Sequence, residues 1–191
     1  TLFGTTTISA GTLDLGVDLT NSPVIVSGGT LATTVAGVHT IPSLAATSGS
    51  TSLDAATTLQ IGNNSGSTSY DTATFTGSGT LVKQGSGTFT ISSSSPLFTG
   101  GTTVSAGSIG LTGSLSGSAV TLSGGTLDVS GAGLHTIGSL TGTINATVAA
   151  GATLATGGNN TSTSFSGDIT GSGNLTKQGS GTFSLVNTLT L

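Results

Sequence analysis

The chain has 191 residues, of which 4% are charged and 33 are glycine, with a formal charge of -4 at pH 7 and a mean hydropathy of +0.35. Lys83 and Lys177 are the only cations, so no basic surface exists to neutralise phosphates and nucleic acid is excluded as a partner. The good helix formers Lys, Glu, Gln, Arg and Met are nearly absent while Thr, Ser, Gly, Val, Ile and Leu fill the chain, which predicts strands and turns and no α-helix.

From the amino-terminal end, Thr1, Leu2 and Phe3 lead into GTTTISAG at residues 4–11. The run SAGTL at 9–13 reads as a turn followed by a strand, and Leu13, Leu15, Val17 and Leu19 alternate so that apolar side chains fall on one face. The same turn-then-strand pattern returns as SGGTL at 27–31, GSGTL at 77–81 and GSGTF at 85–89, where Phe89 and Ile91 alternate in turn. Glycine fits such corners because it tolerates positive φ. Recurrence every 18 to 28 residues or so predicts coils of that size, about four in each long repeat and eight or nine in all.

The long repeat is read directly. GTTTISAG at 4–11 returns as GTTVSAG at 101–107, VSGGTL at 26–31 as LSGGTL at 122–127, and HTI at His39 again at His135. GNN at Gly62 returns at Gly158, and GSGTLVKQGSGTFTI at 77–91 as GSGNLTKQGSGTFSL at 171–185. The offset stays near 94 to 96 residues. One continuous β-solenoid over 1–191 is expected, with internal repeats at 4–100 and 101–191. Six Phe and one Tyr cannot furnish a thick core, so a thin column of aliphatic rows is predicted, in a body roughly 40 Å long at about 4.8 Å per coil.

These residues resemble a known family, the passenger-associated repeats of bacterial autotransporters, with the signature GSGxLxKxGxGTLxLxGxNxYxGGTTVxAGxL. Residues 77–91, then Leu97, Phe98, Thr99 and GGTTVSAG, match it nearly throughout, and residues 171–185 match its first half. The N-x-Y segment is replaced by SSSSPLF, and a carboxy-terminal membrane barrel is not expected within these 191 residues. The resemblance implies an all-β fold, a single-stranded right-handed parallel β-helix, exported across an outer membrane and displayed on or released from the cell surface. It does not imply one activity, because the family includes adhesins, aggregation factors and carriers of enzymatic domains.

The ends carry the candidate site. If residue 191 were followed by residue 1, GTFSLVNTLTL would join TLFGTTTISAG much as GTFTISSSSPLF runs into TGGTTVSAG. Solenoid ends expose unpaired edges that polar caps normally cover, and no cap is evident. Thr1, Leu2 and Phe3 at one end and Leu189, Thr190 and Leu191 at the other are uncharged and are predicted to form an end-to-end interface. A heterologous contact that does not close makes a filament. The partner is therefore expected to be the chain itself, stacked head to tail, or flanking solenoid repeats if the chain is an excerpt of a longer array. A chain that opens on Thr1 reads as a processed product or an excised piece.

The remaining candidates have plainer readings. His39 and His135 are expected some 19 Å apart, too far to share a metal, and are read as structural. Lys83 and Lys177 are read as stems lying over a coil. The six acids, Asp14, Asp18, Asp54, Asp71, Asp128 and Asp168, form no calcium repeat and are read as solvated turn residues. No catalytic residue, metal or cofactor is assigned, and the chain is expected not to be an enzyme. The N-x-S/T sites at Asn63, Asn145, Asn159 and Asn174 are as frequent as chance allows in so Ser/Thr-rich a chain. No run of about 18 apolar residues is present, so membrane insertion by this segment is not expected, and the absence of cysteine excludes a disulfide framework. The leading functional expectation is an extracellular stalk or fibre segment. The alternative is an adhesin that binds glycans or other cells through a Ser/Thr-rich face or the 47–70 segment. Ice binding by Thr72, Thr74 and Thr76, or by Thr188 and Thr190, is a remote third.

Overall fold

A computed structural model of the chain describes residues 4–191, so Thr1, Leu2 and Phe3 of the expected interface lie outside the described residues. Among the described residues, twenty-two strands follow one another without a helix. In the first half these are β1 (Thr6–Ile8), β2 (Thr12–Asp14), β3 (Val24–Thr33), β4 (Gly37–Ile41), β5 (Leu44–Leu53), β6 (Thr57–Ile61), β7 (Thr68–Tyr70), β8 (Thr74–Gly77), β9 (Thr80–Lys83) and β10 (Thr88–Ile91). The second half continues with β11 (Thr102–Val104), β12 (Ser108–Leu111), β13 (Leu115–Leu122), β14 (Thr126–Val129), β15 (Gly133–Gly142) and β16 (Ala146–Val148). It closes with β17 (Ala152–Thr156), β18 (Thr163–Phe165), β19 (Ile169–Gly171), β20 (Asn174–Lys177), β21 (Phe183–Leu185) and β22 (Leu189–Thr190).

All pairings between these strands are parallel, and the strands sort into three faces. The first face runs β1, the start of β3, the start of β5, β7, β10, β12, β14, β16, β19, β22. The second holds β2, the ends of β3 and β5, and β8, then Phe98 bridged to Gly77, then Leu115 paired with Ile137 in β15, and finally β17 and β20. The third runs β4, β6, β9, β11, β13, the end of β15, β18, β21. Period-two alternation sends one residue in two inward, and parallel register stacks those residues into columns. Ile8, Val26, Ala46, Tyr70, Ile91, Leu111, Val129 and Val148 form one such column on the first face. All eight are buried.

The coil is not uniform. It takes 18 residues where Thr6 pairs with Val24 and 24 where Ala46 pairs with Tyr70. The long coil accommodates the aromatic cluster. Tyr70 stacks on Phe75 at 4.2 Å between ring centroids, and Phe98 and Phe89 pack on Phe75 at 5.7 and 6.3 Å. Corner positions have little room for a side chain. At Gly77, φ is +92° and a Cβ would sit 2.1 Å from the Leu53 carbonyl oxygen of the coil below, so only glycine fits.

Ten strands on the first face make nine turns, within the expected eight or nine. The expected four coils per repeat need correction. Four turns carry the chain from β1 back to the first face at β10, but β11, the repeat equivalent of β1, lies two faces farther on, on the third face. The repeat therefore spans four and two-thirds turns, and the second copy is rotated by a third of a turn against the first. Equivalent hydrogen bonds confirm the phase: Thr6 Oγ1 meets Ser22 Oγ at 2.7 Å, and Thr102 Oγ1 meets Ser118 Oγ at 2.8 Å. In each pair the serine hydroxyl also donates to a glycine carbonyl, Gly4 in one copy and Gly100 in the other. Sequence offset alone cannot reveal the rotation, because coil length varies along the chain.

Candidate functional site

Among the described residues, every strand in mid-solenoid is paired on both sides, whereas β20, β21 and β22 are each paired on one side only, by β17, β18 and β19. At the opposite end β1 and β2 pair only with β3, and Leu19 N–H donates to Thr40 O of β4. Among the described residues, the first and last coils therefore each have a strand edge without a pairing partner.

The apolar column is uncovered in the same places. Of the hydrophobic residues that pack on the core without being fully buried, Leu13 and Leu19 lie in the first coil and Leu175, Phe183 and Leu185 in the last. Leu189 is 47% exposed and Leu191 is 41% exposed, beside Leu185 and Val186. The structure thus places Leu189 and Thr190 on β22 at an open edge, paired to Ile169 and Thr170, with Leu191 following. Leu189, Thr190 and Leu191 thus lie at the edge of the last described coil. The partly covered Leu13, Leu19, Leu175 and Phe183 lie up to 18 residues from the termini and were not among the residues singled out there. The signal was available, since Leu13 and Phe183 are the repeat equivalents of Ile109 and Phe89, which pair in register in the interior.

The two lysines divide sharply. Lys83 ends β9 in an inward column between Ile61 and Val104, and its side chain is 1% exposed rather than lying over the coil surface. Its Nζ donates to Gln84 O, to Gly85 O at 2.9 Å and to Ala106 O of the next coil at 3.5 Å. Three donors meet three carbonyls. Burial pulls the ammonium pKa below its usual value. Gly62 makes room: its φ is +92°, and a Cβ there would lie 3.1 Å from Lys83 Nζ. Lys177, at the end of β20, repeats the first two contacts, donating to Gln178 O and to Gly179 O at 3.1 Å, over Gly157 with φ +98°. It is exposed and lacks the third contact, because no coil covers it.

The other candidates are structural. His39 Nε2 lies 2.7 Å from Val35 O, and His135 places Nδ1 3.0 Å from Gly113 O and Nε2 3.1 Å from Gly131 O. The rings sit on the third and second faces respectively, so they do not share a column. Four of the six aspartates accept hydrogen bonds from the next coil: Asp14 from Thr34, Asp18 from Thr40, Asp71 from Ser92 and Asp168 from Thr188. The Thr34 hydroxyl and then its amide hold the Asp14 carboxyl below the usual carboxylate range. No group of three metal-ligating side chains forms among the described residues. Thr74 and Thr76 flank buried Phe75 on β8, where they stack on Ser50 and Ser52 instead of on further threonines.

Neither a curated protein nor a solved structure matches the chain. The passenger-associated-transport-repeat matches residues 1–15 and 81–109. The second match runs from β9 through the Lys83 carbonyl cage to β12, and the first covers β1 and β2, which are the repeat equivalents of β11 and β12. The chain is thus a parallel β-solenoid in which residues 1–15 and 81–109 are similar to the passenger-associated-transport-repeat.

Proposed function

We propose that this segment is an extracellular, non-catalytic rod that spaces or scaffolds other material and is continued end to end by further copies of itself. The observation that supports the reading is that, among the described residues, strand edges without a partner coincide with partly covered side chains, Leu13 and Leu19 in the first coil and Leu175, Phe183 and Leu185 in the last. Water is a poor solvent for such a surface, and a coil of the same sequence family satisfies its peptide groups and apolar column together. The passenger repeat supports a secreted or surface location.

Electron microscopy of negatively stained protein over a concentration series tests the proposal. Threads of uniform width that lengthen with concentration are the expected result. Monodisperse short particles at every concentration would overturn continuation by self-stacking, and retention of cells on a surface coated with such particles would redirect attention to adhesion.

A further inference from the structure

The third-turn rotation between the internal repeats fixes how a second copy must sit, and Lys177 is the side chain that reads it. This inference rests on the proposed self-stacking and specifies its register. The molecule contains a worked example of the junction in its own interior. There β9 is covered by β11, with Leu81 paired to Thr102, Val82 to Thr103 and Lys83 to Val104. One step farther, β10 is covered by β12, with Phe89 paired to Ile109 and Ile91 to Leu111. The repeat equivalents of the lower strands are β20 and β21, at the open carboxy-terminal end. The equivalents of the upper strands are β1 and β2, at the open amino-terminal end.

We infer that β1 of a second copy docks on β20, and β2 of that copy on β21. Thr6, Thr7 and Ile8 of the incoming copy then pair with Leu175, Thr176 and Lys177. Leu13 covers Phe183, Leu15 covers Leu185, and Leu19 reaches Leu189. Leu13 and Leu19, partly covered or at the open edge of one end, thus meet Phe183 and Leu189 of the other, while Leu185 meets the buried Leu15 and Leu175 meets Thr6. The carbonyl of Ala10, the equivalent of Ala106, arrives over Lys177 and supplies the acceptor that Lys83 has and Lys177 lacks. The ammonium becomes buried with three acceptors in this register. A register that does not bring the Ala10 carbonyl over Lys177 leaves the ammonium without this third acceptor, which disfavours the misaligned complex.

The face assignment gives the symmetry. β22 ends on the first face, so β1 of the next copy falls on the second, and each copy advances nine and one-third turns. At about 4.8 Å per turn the axial rise is about 45 Å, with a rotation of one third of a turn per chain apart from any superhelical twist.

Because the chain has no cysteine, paired cysteines report the register directly. Thr7 and Thr176 are both exposed and face outward from the strands proposed to pair, whereas unrotated stacking would put Thr7 over Thr190 on the first face. Protein carrying Thr7→Cys and Thr176→Cys is expected to oxidise into a covalent ladder. Protein carrying Thr7→Cys and Thr190→Cys is expected to remain single chains on a denaturing gel. Lys177→Ala should raise the concentration at half-assembly by about tenfold without altering the circular dichroism of the unassembled chain. Threads that form without a 7–176 cross-link, or with a 7–190 cross-link, would overturn this register while leaving self-stacking intact. Absence of threads in the unsubstituted protein would remove both.

Discussion

Residues 80–91 and 174–185 are nearly the same sequence in two environments. In the first, Leu81, Lys83, Phe89 and Ile91 are sealed beneath β11 and β12. In the second, Leu175, Phe183 and Leu185 are only partly covered and Lys177 stands exposed, although the local backbone and the two nearest lysine hydrogen bonds are preserved. Local sequence therefore specifies the shape of a coil, including the glycine that admits the lysine. The covering coil specifies how much that shape contributes to stability. In a solenoid, where each unit contacts only its neighbours, this is the expected division.

The largest expected effect separates the two phenylalanines. Phe89→Ala removes a ring packed in the aromatic cluster 6.0 Å from Tyr70 and 6.3 Å from Phe75, and should cost about 3–5 kcal/mol. Phe183→Ala at the half-covered end should cost about half of that or less. Urea midpoints of the unassembled variants compare them, and equal losses would mean that position in the stack has no bearing on the contribution. The difference should shrink once the chains are assembled, because the proposed stacking would cover Phe183.

The lysines come next. Lys83→Met keeps the stem and removes the ammonium, leaving Gly85 O and Ala106 O without their donor inside the solenoid, at an expected cost of about 2–3 kcal/mol. Lys177→Met should leave the midpoint of the unassembled chain where it is, since water can solvate the Gly179 carbonyl there. A midpoint loss at Lys177 matching that at Lys83 would show that the two local carbonyls, and not the covering coil, carry the interaction. Hydrogen exchange sharpens the same contrast: amides of β20 to β22 should exchange faster than those of β9 to β12 in dilute protein and slow on assembly.

Much of this was legible in the sequence because the repeat is long and nearly literal. The solenoid and its eight or nine turns followed from the turn-then-strand runs. Three things were not legible. The repeat's extra two-thirds of a turn depends on coils that range from 18 to 24 residues, and coil length is set by loops such as 62–67, where the sequence carries no periodic signal. The burial of Lys83 was hidden because an ammonium among carbonyls has no sequence signature beyond its spacing from Gly62, a residue on the coil below. The register also shows Gly62 to be equivalent to Gly157, one residue before the GNN match at Gly158, because the strands that precede these glycines, β6 and β17, align residue for residue. The partly covered surface of the end coils was read only at the termini, since Leu13, Leu19, Leu175 and Phe183 are brought to it by the fold.

The smallest expected effect is on pH dependence, and it again contrasts a sealed group with the solvent-exposed state it leaves on unfolding. Burial lowers the pKa of Lys83, so between that depressed value and the ordinary 10.5 the unfolded chain binds more protons than the folded one. Stability should therefore rise as pH increases through that window. Tyr70 acts in the opposite sense. Its hydroxyl is sealed against Thr51, to which it donates at 2.9 Å, and burial raises its pKa well above the ordinary 10.0. Above about pH 10 the unfolded chain loses the tyrosine proton that the folded chain keeps, and stability should fall. A maximum near pH 10 in the urea midpoint is the expected outcome. Lys83→Met should flatten the rising limb and Tyr70→Phe the falling one. A rising limb that survives Lys83→Met would show that the ammonium, held by three carbonyls, is as well solvated inside the rod as in water. The carbonyl cage would then offset the whole cost of burial that separates Lys83 from Lys177.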